Sequence, residues 1–295
     1  MKVLIFDIGG TSIKHGICTD GVLSDVAESP TQAALGARHV MDTVASLIAK
    51  ESDYDAIGIS TAGQVNSDTG TITYANDNLP GYTGTEIRKE FSERFHVPVM
   101  VENDVNSAAI GEGIYGAGAK YDDFLCLTYG TGVGGAIIQN RRIYKGSSFS
   151  AGEFGGIIIH GSKKTAGADV FDGCYERCAS TTALVKKAMR LDPSLRNGKA
   201  IFEQLERPEV KGLLDDWTDE ILLGLSTLIH IFNPSCIVLG GGIMVQPYIM
   251  DLLRRKLTYY IMPSFSHVTL EAASLGNQAG LYGIYHLTEQ YFLSL

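Results

Sequence analysis

Apolar residues along the chain follow two rhythms. Short unbroken runs bounded by glycine or polar residues predict buried strands. They are Val3-Leu4-Ile5-Phe6, "YDAIGIS" (Tyr54 to Ser60), "VPVMV" (Val97 to Val101), Phe124-Leu125-Cys126-Leu127 and Cys236-Ile237-Val238-Leu239. Elsewhere the apolar positions recur at helical spacing. Ile87, Phe91 and Phe95 lie four apart, and Leu213, Leu214, Trp217, Ile221, Leu225 and Leu228 give a helix from about Pro208 to Phe232 one broad core face. Further helices are expected from about Thr31 to Lys50, within "ENDVNSAAIGEG", at "STTALVKKAMR", after "GGGIM" and from Asn277 onward. Strands alternating with helices make the fold class α/β.

One stretch tests that reading. In "LTYGTGVGGAII" (Leu127 to Ile138), Gly130, Gly132 and Gly135 fall at G-x-G-x-x-G spacing. A dinucleotide fingerprint needs a helix after the glycines, because the helix N-terminus holds the pyrophosphate. Here Ala136-Ile137-Ile138, a polar Gln139 to Arg142 and Ile143-Tyr144 read as strand, turn, strand. The start of the chain, "VLIFDIGGTSIKHGI" (Val3 to Ile17), has the same form: apolar strand, polar residue, Gly-Thr turn, return strand. Two copies suggest two similar halves. Turns of this kind gather backbone N–H groups into an anion site, and glycine lets phosphate approach where a Cβ would obstruct it. The plain alternative is a pair of ordinary hairpins; the matching copies favour the anion sites.

Composition narrows the partners. At 295 residues the chain has room for one large domain or two ordinary ones. A net charge of −9 argues against nucleic acid or an anionic membrane. No apolar segment reaches the roughly 18 residues that span a bilayer. The chain enters a strand at once, so neither a signal peptide nor a preceding DNA-binding module is expected. The five cysteines (Cys18, Cys126, Cys174, Cys178 and Cys236) are odd in number, and Cys126 and Cys236 lie inside apolar runs. They read as reduced thiols of a cytoplasmic protein.

Candidate chemistry centres on Glu102-Asn103-Asp104-Val105-Asn106, directly after a buried strand. One Asn or Asp there is explained by helix capping. Four polar side chains at a strand end, where α/β proteins commonly bind ligands, exceed what capping needs.

Taken in order, "DIGGT", "GISTAG", "VENDVNSAA", "TYGTGVGG", "AGEFG", "GGG" and "LGNQAGLYG" resemble the ROK family of sugar kinases across essentially the whole chain. The resemblance implies a two-domain actin-like ATPase (RNase H-like) fold, with the active site in the interdomain cleft. The expected N-terminal domain is 1–118, completed by a C-terminal helix 277–295; the second is 119–276, with Gly116 to Asp123 as hinge. Neither a Walker A loop nor the protein-kinase V-A-I-K signature is present. By resemblance, Gly9-Gly10-Thr11 and Gly130-Thr131-Gly132 hold the ATP phosphates, Asp7 lies near Mg2+, and Gly240-Gly241-Gly242 lie against the adenosine. Asp104 is the general base for a sugar 6-hydroxyl. Gly63, Asn103, Asp104, Glu153 and Glu176 contact the sugar, although a solvated helix-start glutamate explains Glu176 equally well.

The chain departs from the family at a zinc site. Many members carry E-x-G-H and then C-x-C-G-x-x-G-C-x-E; here Gly156, Gly167 and Asp169 replace the histidine and two of the cysteines, leaving Cys174. Structural zinc needs its full ligand set, so no zinc is expected. His160 reads as a loop histidine and Cys178 as a buried thiol. The missing histidine, with "HIFNPSCIVLGGGI", is similar to the β-glucoside kinase and glucokinase branch. The implied function is ATP-dependent phosphorylation of a glucose-configured hexose or β-glucoside at its 6-hydroxyl, by a homodimer. N-acetylmannosamine is a competing substrate, and a non-catalytic sugar-sensing regulator is the competing class.

Overall fold

The computed structural model describes residues 1–161 and 163–294. β1 (Lys2–Ile8) and β2 (Ser12–Thr19) form an antiparallel hairpin. The sequence pattern reads 21–30 as a connection, because Ser24, Asp25 and Glu28 interrupt its apolar residues. The structure instead makes it β3 (Val22–Pro30), paired with β2 and mostly exposed. An edge strand of this kind pairs without burying a face, so apolar pattern does not reveal it.

α1 (Gly36–Ile48) follows a short 3-10 turn at Ala33–Leu35, so the α-helix proper starts later than the pattern suggests. β4 (Ala56–Thr61) returns parallel to β1. A small hairpin, β5 (Gln64–Asn66) and β6 (Thr71–Tyr74), precedes α2 (Ile87–Phe95). β7 (Val99–Asn103) then runs parallel to β4 and leads straight into α3 (Asp104–Tyr115). The first sheet has the order β3-β2-β1-β4-β7.

The second sheet repeats this plan. β8 (Phe124–Tyr129) and β9 (Val133–Gln139) form the hairpin, β10 (Arg142–Ile143) is the edge, and β11 (Cys236–Gly240) and β12 (Thr269–Ala272) follow in parallel. Its order is β10-β9-β8-β11-β12. Between β10 and β12 come α4 (Tyr175–Ala179), α5 (Thr181–Leu191), α6 (Gly198–Phe202), α7 (Pro208–Phe232) and α8 (Pro247–Leu257). α9 (Ala279–Leu293) closes the chain; Leu295, in the expected 277–295 helix, lies outside the described residues.

The residues gather into two compact units. Unit 1 holds Met1–Gly116, Arg142–Ala151 and the segment from Asn277; unit 2 holds Ala117–Arg141 and Gly152–Gly276. In unit 1 the sheet is buried on both faces. Leu4, Phe6 and Ile8 pack with Val40, Met41 and Val44 of α1, while Val3 and Ile5 pack with Leu281, Ile284 and Tyr285 of α9. That two-sided burial is why β1 reads as a continuous apolar run rather than an alternation. α9 lies close against α3, where a Cβ on Gly283 would collide with the Ser107 carbonyl and one on Gly111 with that of Ala279. In unit 2, α7 buries Leu214, Trp217, Ile221, Leu225 and Leu228. Trp217 Nε1 donates to the Ala179 carbonyl at 3.0 Å, fixing α7 to α4. Among the described residues no helix is long and apolar enough to cross a membrane.

Candidate active site

The candidate residues fall into two groups, one in each unit. In unit 1 the junction of β7 and α3 sets the geometry. Asn103 is the N-cap of α3, its Oδ1 accepting from Val105 N at 2.9 Å and Asn106 N at 3.0 Å. Its Nδ2 donates to the Gly63 carbonyl and to Asp104 Oδ1, both at 2.9 Å. An amide side chain makes about four hydrogen bonds, so Asn103 is fully occupied within the protein. The sequence reading makes it a sugar contact; here it fixes Asp104 and the Gly63 turn, whose φ of 96° suits glycine.

Asp104 accepts from Val105 N at 2.9 Å on the same Oδ1. Its bonds from Asn103 Nδ2 and Val105 N both fall on Oδ1, and its own backbone N–H adds a third donor to the carboxylate. Burial, reinforced by the charge of Asp7, pushes its pKa up to about 7, against the opposing pull of the Val105 amide and Asn103. Asp7, near the end of β1, accepts from Ser60 Oγ at 2.7 Å and has Lys14 Nζ 3.7 Å away. Burial raises Asp7 too, with Ser60 and Lys14 opposing.

Glu102, which the sequence places in this polar cluster without a role, supports the junction. Glu102 is buried; its Oε1 accepts from Asn103 N at 2.9 Å and Asn106 Nδ2 at 3.0 Å. Its Oε2 has no hydrogen-bond partner among the described residues, but Lys145 Nζ stands 3.7 Å away. Lys145 also donates to Ser67 Oγ at 2.5 Å. Nothing in the surroundings of Lys145 in sequence signals this; it comes from Arg142–Ala151 packing with unit 1. Gly9-Gly10-Thr11 form the β1–β2 turn, Gly9 N donating to Ser12 O at 3.0 Å while Gly10 and Thr11 are exposed.

In unit 2 the β8–β9 turn is Gly130-Thr131-Gly132, closed by Gly130 N donating to Gly132 O at 3.0 Å. The glycines of the apparent fingerprint have separate reasons. Gly130 and Thr131 are exposed, a Cβ on Gly132 would strike the Glu176 carboxylate, and one on Gly135 would strike Phe154 and the Gly152 carbonyl. Glu176 Oε2 accepts from Val133 N at 3.1 Å, so this carboxylate braces the turn. Glu153 is exposed at the start of a 3-10 turn, Phe154–Gly156. Space for a side chain is open at Gly156. The triple glycine divides likewise: Gly241, at φ 106°, packs so closely that a Cβ would hit the Tyr129 carbonyl, whereas Gly242 is exposed and open. Gly130 and Gly242 line a cavity of about 620 Å³ with Thr181, Phe202, Ile243 and Gln246. That is within the range of small-molecule sites, and Phe202 and Ile243 give it an apolar wall. Gly240 ends β11 beside Thr128.

The chain matches the ROK family model over residues 3–291. It belongs to the ROK family. A β-glucoside kinase of Klebsiella pneumoniae is 31% identical over 99% of this chain and 97% of its own. A ROK family glucokinase from Streptomyces griseus, solved in complex with glucose and AMPPNP, superposes at a TM-score of 0.83 with 29% identity, covering 98% of this chain and all of that one. A Listeria monocytogenes protein provisionally assigned as an N-acetylmannosamine kinase gives a TM-score of 0.87 at 28% identity, covering 99% and 100%. The ROK fold explains the two like-ordered sheets as the two halves of an actin-like ATPase. A magnesium ion fits the site: Mg2+ prefers oxygen ligands, usually one or two carboxylates with waters and phosphates. Asp7 supplies a carboxylate whose burial disfavours a bare charge and which a cation would relieve.

Proposed function

We propose that this chain transfers the γ-phosphoryl group of ATP to the 6-hydroxyl of a glucose-configured hexose or β-glucoside, with Asp104 as general base. The carrying observation is Asp104 itself. A sugar hydroxyl is too weak an acid to ionise unaided, and a base works best with a pKa near the operating pH. Asp104 is held at about 7 by burial and Asp7, while Asn103 and Val105 N fix Oδ1 and so orient the carboxylate that accepts the proton. As the proton moves to Asp104, the sugar oxygen forms its bond to the γ-phosphorus and the bond to the β–γ bridging oxygen breaks, releasing ADP.

Asp7 would hold magnesium, which when bound neutralises phosphate charge. The Gly9-Gly10-Thr11 and Gly130-Thr131-Gly132 turns offer backbone N–H groups to phosphate. The cavity beside Gly242 takes the adenosine. Glu153 and the Gly63 turn bind sugar hydroxyls, and Glu176 acts through the β8–β9 turn it braces. The family expectation of a homodimer is in keeping with exposed Ile231, Tyr259 and Met262 on unit 2.

Open space at Gly156 favours a substrate bulky at the anomeric carbon, as do relatives that include a β-glucoside kinase. Sugar-dependent ADP release across β-glucosides, glucose and N-acetylmannosamine tests the assignment. Turnover should be highest on a glucose-configured sugar. Preference for N-acetylmannosamine would overturn the sugar, and no ADP release with any sugar would favour the sensing regulator.

A further inference from the structure

A second constellation of reactive side chains lies in unit 2, at residues other than the family's zinc positions. His160, Cys178 and Glu220 each present one ligand atom, and these atoms all lie within 4.8 Å of one another. The sequence places them far apart: a loop, α4 and the middle of α7. Glu220 attracts no notice there, and Cys178 reads as buried, whereas the structure leaves it partly exposed.

The scaffold around the three is fixed. Ile159 N and His160 N both donate to the Gly173 carbonyl, at 3.0 and 3.1 Å, and Ile158 bridges Cys174, so the His160 backbone is tied to the start of α4. Gly173, at φ 71°, permits this approach, since a Cβ would strike the His160 carbonyl. Glu220 lies on α7 next to Ile221, whose carbonyl accepts from Tyr175 Oη at 2.8 Å, and one turn beyond Trp217, bonded to Ala179. Both anchors reach α4 on either side of Cys178. The Glu220 carboxylate is divided: Oε1 faces Lys187 Nζ at 3.4 Å, and Oε2 faces His160 Nε2 at 2.5 Å. Lys187 offsets one negative charge without occupying the oxygen turned toward His160.

We propose that His160, Cys178 and Glu220 form a binding site for one thiophilic divalent cation, Zn2+ above all. Sulfur, imidazole nitrogen and carboxylate oxygen are the donors that zinc takes, and a three-ligand set leaves a fourth tetrahedral position to water. His160 is 52% exposed, so its ring can turn and water can reach that position. On binding, the Cys178 S–H bond breaks and its proton passes to solvent. The imidazole proton moves to Nδ1, and the metal forms bonds to Sγ, Nε2 and Oε2. Zinc binds the thiolate, so proton and metal compete for Cys178 Sγ and affinity rises with pH. The ligands share no position with the family set represented here by Gly156, Gly167, Asp169 and Cys174. The sequence reading dismisses His160 and Cys178 and expects a zinc-free chain; this site departs from that expectation by adding Glu220.

Co2+ is the direct probe, added to tag-free, chelator-stripped protein. One equivalent should bind, with a thiolate-to-cobalt charge-transfer band in the near ultraviolet that one equivalent of Zn2+ abolishes. Cys178→Ser should lose the band, and His160→Gln, at a half-exposed position the fold tolerates, should weaken Zn2+ by more than about tenfold by calorimetry. Absence of the band, its persistence in Cys178→Ser, or unchanged zinc affinity in His160→Gln would overturn the site.

Discussion

The two Gly/Thr hairpins are built alike but carry opposite chemistry. Asp7 stands two residues before Gly9 in β1, beside Ser60 of β4; Thr128 stands two residues before Gly130 in β8, beside Gly240 of β11. At the same point of the same sheet plan, unit 1 has a half-buried carboxylate and its donor where unit 2 has a neutral threonine and a glycine. The strands that follow differ similarly. β7 ends in Glu102-Asn103, with Asn103 capping α3 and Asp104 opening it, while β12 ends in Ala272 and leads to the 3-10 turn Gly276–Gln278. In unit 2 the carboxylate near the turn, Glu176, reaches in from α4 and spends an oxygen on Val133 N. The repeated scaffold thus carries carboxylates at the strand ends of unit 1, and a neutral threonine with a glycine-lined turn and cavity in unit 2.

That contrast breaks most visibly at Asp104. Asp104→Asn keeps the size and the Oδ1 acceptor but removes the basic oxygen. Turnover should fall by roughly a hundredfold to ten-thousandfold with sugar and nucleotide still binding, as measured by steady-state kinetics and calorimetry. Stability should move the other way. The folded pKa of Asp104 is raised, so its contribution to stability is fully present below the unfolded carboxylate value and is lost as pH rises through about 7. Asp104→Asn should therefore melt above the parent at pH 8, with the gap closing in acid. Equal melting temperatures at pH 8 would argue against a strained, desolvated carboxylate.

The hairpins can be compared directly by paired substitutions. Asp7→Asn should lower kcat by about a hundredfold, whereas Thr128→Val at the equivalent point of unit 2 should change it by less than about threefold. Similar losses in both would mean the two turns share the chemistry. Gly156→His fills open space, so it should impair a β-glucoside roughly tenfold more than free glucose in kcat/KM. Equal losses would remove the argument from pocket width. The smallest effect is expected at Gly132→Ala. Its Cβ displaces only the flexible Glu176 carboxylate, so KM for ATP should rise by a few-fold, about 1 kcal/mol, with kcat nearly unchanged. A fall in kcat as large as that of Asp7→Asn would place catalytic charge on the unit 2 turn.

The sequence makes much of this legible. Buried strands such as β1, β4 and β11 announce themselves because both faces are covered, and α7 does so because one face is apolar along its whole length. Two matching Gly/Thr turns reveal the repeat that the sheet orders display. β3 is hidden because an exposed edge strand carries no apolar signal. The site is legible in residue type but not in role. Asn103 reads as a sugar ligand, and the structure adds what the sequence does not give: its amide caps α3 and bonds Gly63 and Asp104. Gly241 and Gly242 look alike in sequence, yet one meets Tyr129 and the other open space. Lys145 and Glu220 leave no trace, because their partners lie 43 and 60 positions away. Such roles depend on tertiary contact, which residue spacing does not encode.

The central claim is that Asp104 is a base tuned to neutrality by burial and by Asp7. The pH dependence of kcat/KM for the sugar, at saturating ATP, tests it most directly. Asp104 must be unprotonated to accept the hydroxyl proton, so activity should rise through a limb near pH 7 and level off above it. In Asp104→Asn that limb should vanish from the residual rate. A limb at the ordinary carboxylate value near 3.8, or the same limb near 7 persisting in Asp104→Asn, would contradict the assignment.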